Sequence, residues 1–146
     1  MSDARPEISA VIISYNGMPF LPDCLRTLTD ELEQISYELI VVDNGSHDGS
    51  ADFVEKNYPG AKLIRNGRNL GFARAVNQGF EEGRGEYYYI LNQDLRFGHG
   101  ATRKLLERIK QDNSLGMIGP KFIYFDGGTQ RSVRSFPTYK HVLYRA

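Results

Sequence analysis

The sequence predicts an α/β domain of three layers, α/β/α, built around a mostly parallel sheet, and three observations carry that prediction. Four short β-type runs alternate with helix-period segments, the pattern of strand–helix–strand units joined by right-handed crossovers. Two of the runs, Leu39–Val42 and Tyr87–Leu91, pass abruptly from apolar residues into Asp43-Asn44-Gly45-Ser46 and Asn92-Gln93-Asp94. The length, 146 residues with 40% hydrophobic content, suits a single domain, residues 1–146, that buries a real core over about 7–125 without a disulfide.

Taken in order, Ile8-Ser9-Ala10-Val11-Ile12-Ile13-Ser14-Tyr15 is β-branched and free of charge after Glu7, as the middle of a parallel sheet requires. Asn16-Gly17 breaks it. Leu21, Cys24 or Leu25, Leu28, Leu32 and Ile35 then recur at three- and four-residue steps as the apolar stripe of an amphipathic helix, with Pro22 in its first turn. Cys24 belongs to that stripe and reads as a packed core thiol; a single cysteine forms no internal disulfide and suits a reducing, cytoplasmic compartment. The second strand, Glu38–Val42, leads into the turn and cap residues 43–50, a helix over Ala51–Asn57, and a stop at Pro59-Gly60.

Ala61–Arg65 is a short third strand, and the loop Asn66-Gly67-Arg68-Asn69 opens a helix on which Phe72, Val76 and Phe80 share one face, with Arg74, Asn77, Gln78 and Glu81 on others. Gly83 and Gly85 end it. Tyr87–Leu91 reads as a run of β-formers with alternating faces rather than a sugar-stacking platform. After Gly98-His99-Gly100 comes a helix with Leu105, Leu106 and Ile109 inward. Gly116–Tyr124 predicts a further strand, at an edge or bulged by Pro120, before a turn at Asp126-Gly127-Gly128. Residues 126–146 form a basic, aromatic tail.

Several chemistries are excluded. Eighteen Lys and Arg balance eighteen Asp and Glu, so no general positive field is available for nucleic acid. Met1–Pro6 has no long apolar core, so neither a signal peptide nor a membrane span is expected there. No Gly-x-Gly-x-x-Gly, phosphate loop or nucleophile elbow occurs, and His47, His99, His141 and Cys24 have no metal-ligand spacing. What remains is a set of acids and amides at strand ends: Asp43, Asn44, Asp48, Asn92 and Asp94. In open parallel sheets that carboxyl edge binds ligands. Asp94, just past a strand, suits a hard divalent cation bridging a diphosphate, and Asp43 suits an imide N–H or a ribose hydroxyl.

The stretches Ile12-Ile13-Ser14-Tyr15-Asn16, Ile40–Ser50, Asn69-x-Gly71-Phe72-Ala73-x-Ala75-x-Asn77-x-Gly79 and Ile90-Leu91-Asn92-Gln93-Asp94, in that order, resemble the nucleotide-binding half of family-two glycosyltransferases of the GT-A fold. Gly119-Pro120-Lys121, Asp126-Gly127 and Gln130-Arg131-Ser132 are similar to its rhamnosyltransferase-type branch. The resemblance implies a Rossmann-like nucleotide-sugar-binding domain, truncated before its acceptor-binding half, or with 126–146 as the start of that half. It implies that Ser14, Tyr15 and Asn16 line the nucleotide pocket, that Asp43 contacts the base, and that Asn44, Ser46 and Asp48 shape the adjoining loop. Asn69, Gly71, Arg74 and Asn77 would close over base and ribose. Asn92-Gln93-Asp94 stands where the family has Asp-x-Asp, with Asp94 as the ligand of Mg²⁺ or Mn²⁺.

The first acid of that motif is here an amide, which brings no charge, so metal affinity without nucleotide should be weak. Glu107, Asp112 and Asp126 sit in no motif of a catalytic base, which is expected beyond Ala146. The implied activity is transfer of a sugar from a UDP- or dTDP-linked donor to a saccharide or lipid-linked acceptor hydroxyl with inversion, in the cytoplasm or at the inner face of a membrane. Two alternatives stand beside it: a nucleotide-binding module without transfer, and a receiver-like domain whose acidic strand ends bind Mg²⁺.

Overall fold

The structure, a computed structural model, describes residues 4–124 and 126–130. Its elements are β1 (Ile8–Ser14), α1 (Leu21–Leu32), β2 (Tyr37–Asp43), α2 (Ser50–Asn57), β3 (Lys62–Arg65), α3 (Phe72–Glu82), β4 (Tyr87–Asn92) and α4 (Ala101–Gln111). The chain divides between Thr102 and Arg103 into two compact units, the first holding the sheet.

The four strands lie in the order β3-β2-β1-β4, and every pairing is parallel. β1 is buried along its whole length, as its charge-free run requires, and pairs Ile8 to Ser14 with Tyr37 to Asp43 on one side. On its other side Ile8 to Ile13 pair with Tyr87 to Asn92. Side chains alternate across the pleat, so Val11 and Ile13 of β1 join Ile40 and Val42 of β2 in a core against Ala75 of α3. Right-handed crossovers put α1 and α2 on the opposite face, because β1, β2 and β3 step one way across the sheet and the return to β4 steps the other. Leu21, Cys24, Leu25, Leu28 and Leu32 of α1 are fully buried, each large aliphatic contributing roughly 1.5–3 kcal/mol. Ile35 lies beyond the end of that helix.

Two sequence expectations are corrected. The inward residues of α3 are Ala75 and Gly79, not the Phe72, Val76, Phe80 row; Val76 is partly buried, while Phe72 and Phe80 are each 54% exposed. The cause is close packing: a Cβ on Gly79 would fall 2.2 Å from Val11 Cγ1, so α3 seats its backbone on the sheet where a bulky face could not fit. Phe80 instead stacks on Tyr88 at 4.1 Å between ring centroids.

The second correction concerns Gly116–Tyr124, which forms no strand among the described residues. Ile123 alone makes an antiparallel bridge, to Thr129, around the turn at Asp126-Gly127-Gly128. Pro120 has no amide to donate, and Met117 and Ile123 are 87% and 68% exposed, so neither ladder nor apolar face supports a strand there. The basic tail from Arg131 lies outside the described residues.

Candidate functional site

β1 is the point where the sheet reverses its order, with β2 on one side and β4 on the other. Loops leaving the carboxyl ends of strands at such a point diverge and leave a crevice. A cavity of about 250 Å³ occupies it, lined by Ile13 near the end of β1 and Tyr15 just past it, Asn44 after β2, Asn69 before α3 and Phe72 at its start, and Asn92 at the end of β4 with Gln93 and Asp94 beyond it.

Hydrogen bonds between the loops fix its walls. Gln93 Oε1 accepts from the Ser14 hydroxyl and the Tyr15 amide, both at 2.8 Å, while its Nε2 donates to the Tyr15 carbonyl at 3.0 Å, clamping the end of β1 to the end of β4. On the other side, the Asn16 amide donates to Ser46 Oγ at 2.9 Å and the His47 amide to Asn16 Oδ1 at 3.0 Å. Asn16 holds a left-handed φ of 47°, which asparagine tolerates better than other side chains. Asp48 accepts from the Met18 amide and from Ser50. Burial pushes the Asp48 carboxyl up, but the Ser50 hydroxyl and the amides of Met18 and Ser50 outweigh it and hold the group below the usual carboxylate range.

Asn44 organises the third wall. Its Nδ2 donates to Asn69 Oδ1 at 2.9 Å, and its Oδ1 accepts from the Leu70 amide at 3.0 Å and from Asn66 Nδ2 at 3.2 Å. Asp43 is 3% exposed; its Oδ2 caps the Ser46 amide at 3.0 Å, and its Oδ1 is buried with no hydrogen-bond partner among the described residues. A buried acceptor left open costs about 1–3 kcal/mol unless something fills it.

Of the residues singled out in the sequence, Tyr15, Asn44, Asn69, Asn92, Gln93 and Asp94 therefore meet at one cavity. Ser14, Asn16, Ser46 and Asp48 act behind its wall, as ties between loops. Asp43 is buried beside Asn44, Gly71 precedes α3, and Arg74 and Asn77 are exposed on α3 away from the cavity lining. Ile13 and Phe72 were not foreseen as lining residues. Phe72 follows a polar loop and Gly71, and that position at the mouth of a helix was the signal that its helical spacing obscured. Cys24 is fully buried beneath the strand end, its Sγ 3.6 Å from the Asn92 carbonyl; burial pushes its thiol up to about 11, so it is a packed thiol and no nucleophile. No cluster of three His, Cys, Asp or Glu poised for a metal occurs among the described residues.

Known proteins are similar to this chain in sequence and in fold. The chain is 29% identical over 140 residues to the dolichol-phosphate mannosyltransferase of Pyrococcus furiosus, covering 94% of this chain and 38% of that one. It is 28% identical over 149 residues to the N-acetylglucosaminyl-diphospho-decaprenol L-rhamnosyltransferase of Mycobacterium tuberculosis, covering 94% and 47%. The chain thus spans less than half the length of these curated relatives. Among solved structures, the mannosyltransferase PcManGT from Pyrobaculum calidifontis, in complex with GDP-Man and Mn²⁺, matches with a TM-score of 0.63 at 21% identity, over 73% of this chain and 33% of its own. S. aureus TarS 1–349 in complex with UDP matches with a TM-score of 0.63 at 20% identity, over 73% and 33%. These likenesses confirm the GT-A fold expected from the motifs. The family model described as Glycosyl transferase family 2 matches residues 9–145, running through all four strand-end motifs, and the chain accordingly belongs to that family.

Proposed function

We propose that this chain is the donor-binding part of a glycosyltransferase, holding a nucleoside-diphosphate sugar across the ends of β2, β1 and β4 with a divalent cation at Asp94. The observation that carries the reading is that Asn44 and Asp94, from strands on either side of β1, line one cavity. Two strand spacings separate β2 from β4, about 10 Å, a span that a nucleoside diphosphate covers. The base lies toward Tyr15, Phe72 and Asn69; the proposed acceptor of its imide N–H or of a ribose hydroxyl is Asp43, which precedes the cavity-lining Asn44 and whose Oδ1 is buried, so this contact needs the loop after β2 to yield. The diphosphate lies toward Asn92 and Asp94.

The donor set fits Mg²⁺ or Mn²⁺ that arrives with the nucleotide: Asp94 offers one exposed carboxylate, Asn92 a neutral amide, and phosphate oxygens and water complete the shell. A cation held there supplies positive charge against the diphosphate leaving group. Without it, the Asp94 carboxylate would repel the phosphates.

Transfer, with inversion, to an acceptor hydroxyl is proposed for the longer protein, the acceptor being a saccharide or a lipid-linked one, in keeping with the lipid names carried by its relatives. UDP or dTDP is the proposed nucleotide. A place in the cytoplasm, at the inner face of a membrane, is proposed with it; no helix among the described residues is long and apolar enough to cross a membrane. The second reading for this chain by itself is a nucleotide-binding module without transfer. Asp112 accepts from the Ser114 amide and hydroxyl and from Arg108, and Asp126 Oδ1 accepts from the Gly128 amide; neither sits in a motif of a catalytic base. A receiver-like domain is set aside by topology, since that order places β1 between β2 and β3, whereas here β2 lies between β1 and β3.

Calorimetry with UDP, with and without Mn²⁺, tests the site. Asp94→Ala should weaken the Mn²⁺-dependent affinity by about 10–100-fold or more. Mn²⁺-dependent binding that survives the substitution, or that the parent chain never shows, removes Asp94 from the role.

A further inference from the structure

The connection that carries Asp94 onward, residues 92–102, is fastened along its length to one flank of α1. Asp23, Thr27 and Glu31 recur every four residues and so stand in a row on that helix, with Cys24 beside the first. Asp23 pairs with Arg96. Cys24 Sγ lies 3.6 Å from the Asn92 carbonyl, and Thr27 Oγ1 accepts from the Phe97 amide at 3.4 Å. Glu31 accepts from the Gly100 amide at 2.9 Å and from the Thr102 amide at 2.7 Å, one carboxylate oxygen to each.

Asp23, Thr27 and Glu31 meet Arg96, Phe97 and the amides of Gly100 and Thr102 in the same order, so helix and connection run side by side over 96–102, while the Cys24–Asn92 contact falls outside that order. Each rung also answers a local need. Gly100 has φ 77° and no side chain, so the first amides of α4 get from Glu31 the anionic cap that a Ser or Asp at position 100 would otherwise provide. Arg96, two residues past Asp94, pairs its guanidinium with Asp23 on α1. The Arg96 guanidinium in turn holds the Asp23 carboxyl below its ordinary range. Within the connection Phe97 meets Tyr89 edge-on at 5.9 Å, while Asn92, Asp94, Arg96, Gly98 and His99 are exposed.

We propose that Asp23 and Glu31 are positioning residues for metal-dependent donor binding: by anchoring the 92–102 connection at two points beyond Asp94, they hold that carboxylate at the cavity. This rests on the reading of Asp94 as the cation's ligand. Neither residue lines the cavity, so neither touches donor or metal; their effect is confined to how well Asp94 is presented.

The test uses the 146-residue chain, UDP and MnCl₂, comparing parent, Asp23→Arg, Glu31→Gln and the charge swap Asp23→Arg with Arg96→Asp. In the two single variants, the Mn²⁺ concentration giving half-maximal UDP binding should rise about tenfold, the lower end of what loss of a supporting group does to a metal site. UDP affinity without metal should stay within about twofold of the parent, and the charge swap should return the Mn²⁺ midpoint toward it. An unchanged midpoint in folded single variants overturns the proposal. So does a parallel fall in metal-free affinity, which would mean general loosening of the domain. A failure of the site reading shows itself differently, as a parent chain with no Mn²⁺-dependent UDP binding, and it takes this proposal with it.

Discussion

Gly79→Ala sets two well-known effects against each other at one atom. In a helix interior alanine is favoured over glycine by about 1 kcal/mol, because the glycine backbone loses more freedom on folding. At position 79 the new Cβ would sit 2.2 Å from Val11 Cγ1 and 3.4 Å from Val42 Cγ2. The first distance is about 1.3 Å inside the roughly 3.5 Å at which carbon atoms attract. Val11 is fully buried in the middle of β1 and cannot swing into solvent, so α3 must lift from the sheet. Overpacking of this kind costs about 1–3 kcal/mol. With a midpoint near 2 kcal/mol against the 1 kcal/mol gain, Gly79→Ala should destabilise by about 1 kcal/mol, lowering Tm by about 4 °C in a chain of this size. In a Val11→Ala background the obstruction is gone, and the same substitution should become stabilising. Thermal melts of the four chains of this double-mutant cycle measure both signs. A Gly79→Ala chain more stable than the parent would refute the close seating of α3, and with it the account of why Phe72 and Phe80 stay exposed.

Two further outcomes follow from groups outside the cavity. The Cys24 thiol, buried and pushed up to about 11, should resist an aromatic disulfide reagent at about pH 8 in the native chain and react fully once unfolded; rapid native labelling would contradict its place under the strand end. Burial works to raise the Glu38 carboxyl, but the Ser9 hydroxyl, the Arg84 and Gly85 amides and the Arg84 guanidinium together hold it below its ordinary range. Its contribution is therefore present above the unfolded carboxylate value, about 4.3, and is lost as pH falls through the lower folded one. Glu38→Gln should cost about 1–2 kcal/mol at neutral pH and flatten the acid limb of stability in urea titrations; an acid limb as steep as the parent's would show that the group does not drive it.

β1 and β2 were legible because their middles, 10–13 and 39–42, are apolar and rich in β-branched residues, as a buried parallel strand requires. The chemistry of the site was legible for a related reason: Asp43-Asn44 and Asn92-Gln93-Asp94 follow such strands directly, and a parallel sheet brings all its carboxyl ends to one edge. Helical periodicity served less well on α3, because it weighs large apolar residues and passes over the small ones. Ala75 and Gly79 are the inward face there only because Val11 and Val42 rise to meet them. The stretch 116–124 has strand-like composition but, among the described residues, no partner along it beyond one bridge, and pairing is a property of two segments.

By itself, then, the sequence determined which residue types stand at the strand ends, and so the α/β class and the polar character of the edge, since both follow from local pattern. Only the tertiary structure decided how those polar groups are used. Gln93, Asn16, Ser46 and Asp48 are bound up in ties between loops, while Asp43 Oδ1 is left open and Asp94 faces the cavity. The physical reason is that a hydrogen bond needs two partners at about 3 Å. Gln93 meets Tyr15, and Glu31 meets Gly100, across 78 and 69 positions of chain, separations that no local pattern encodes.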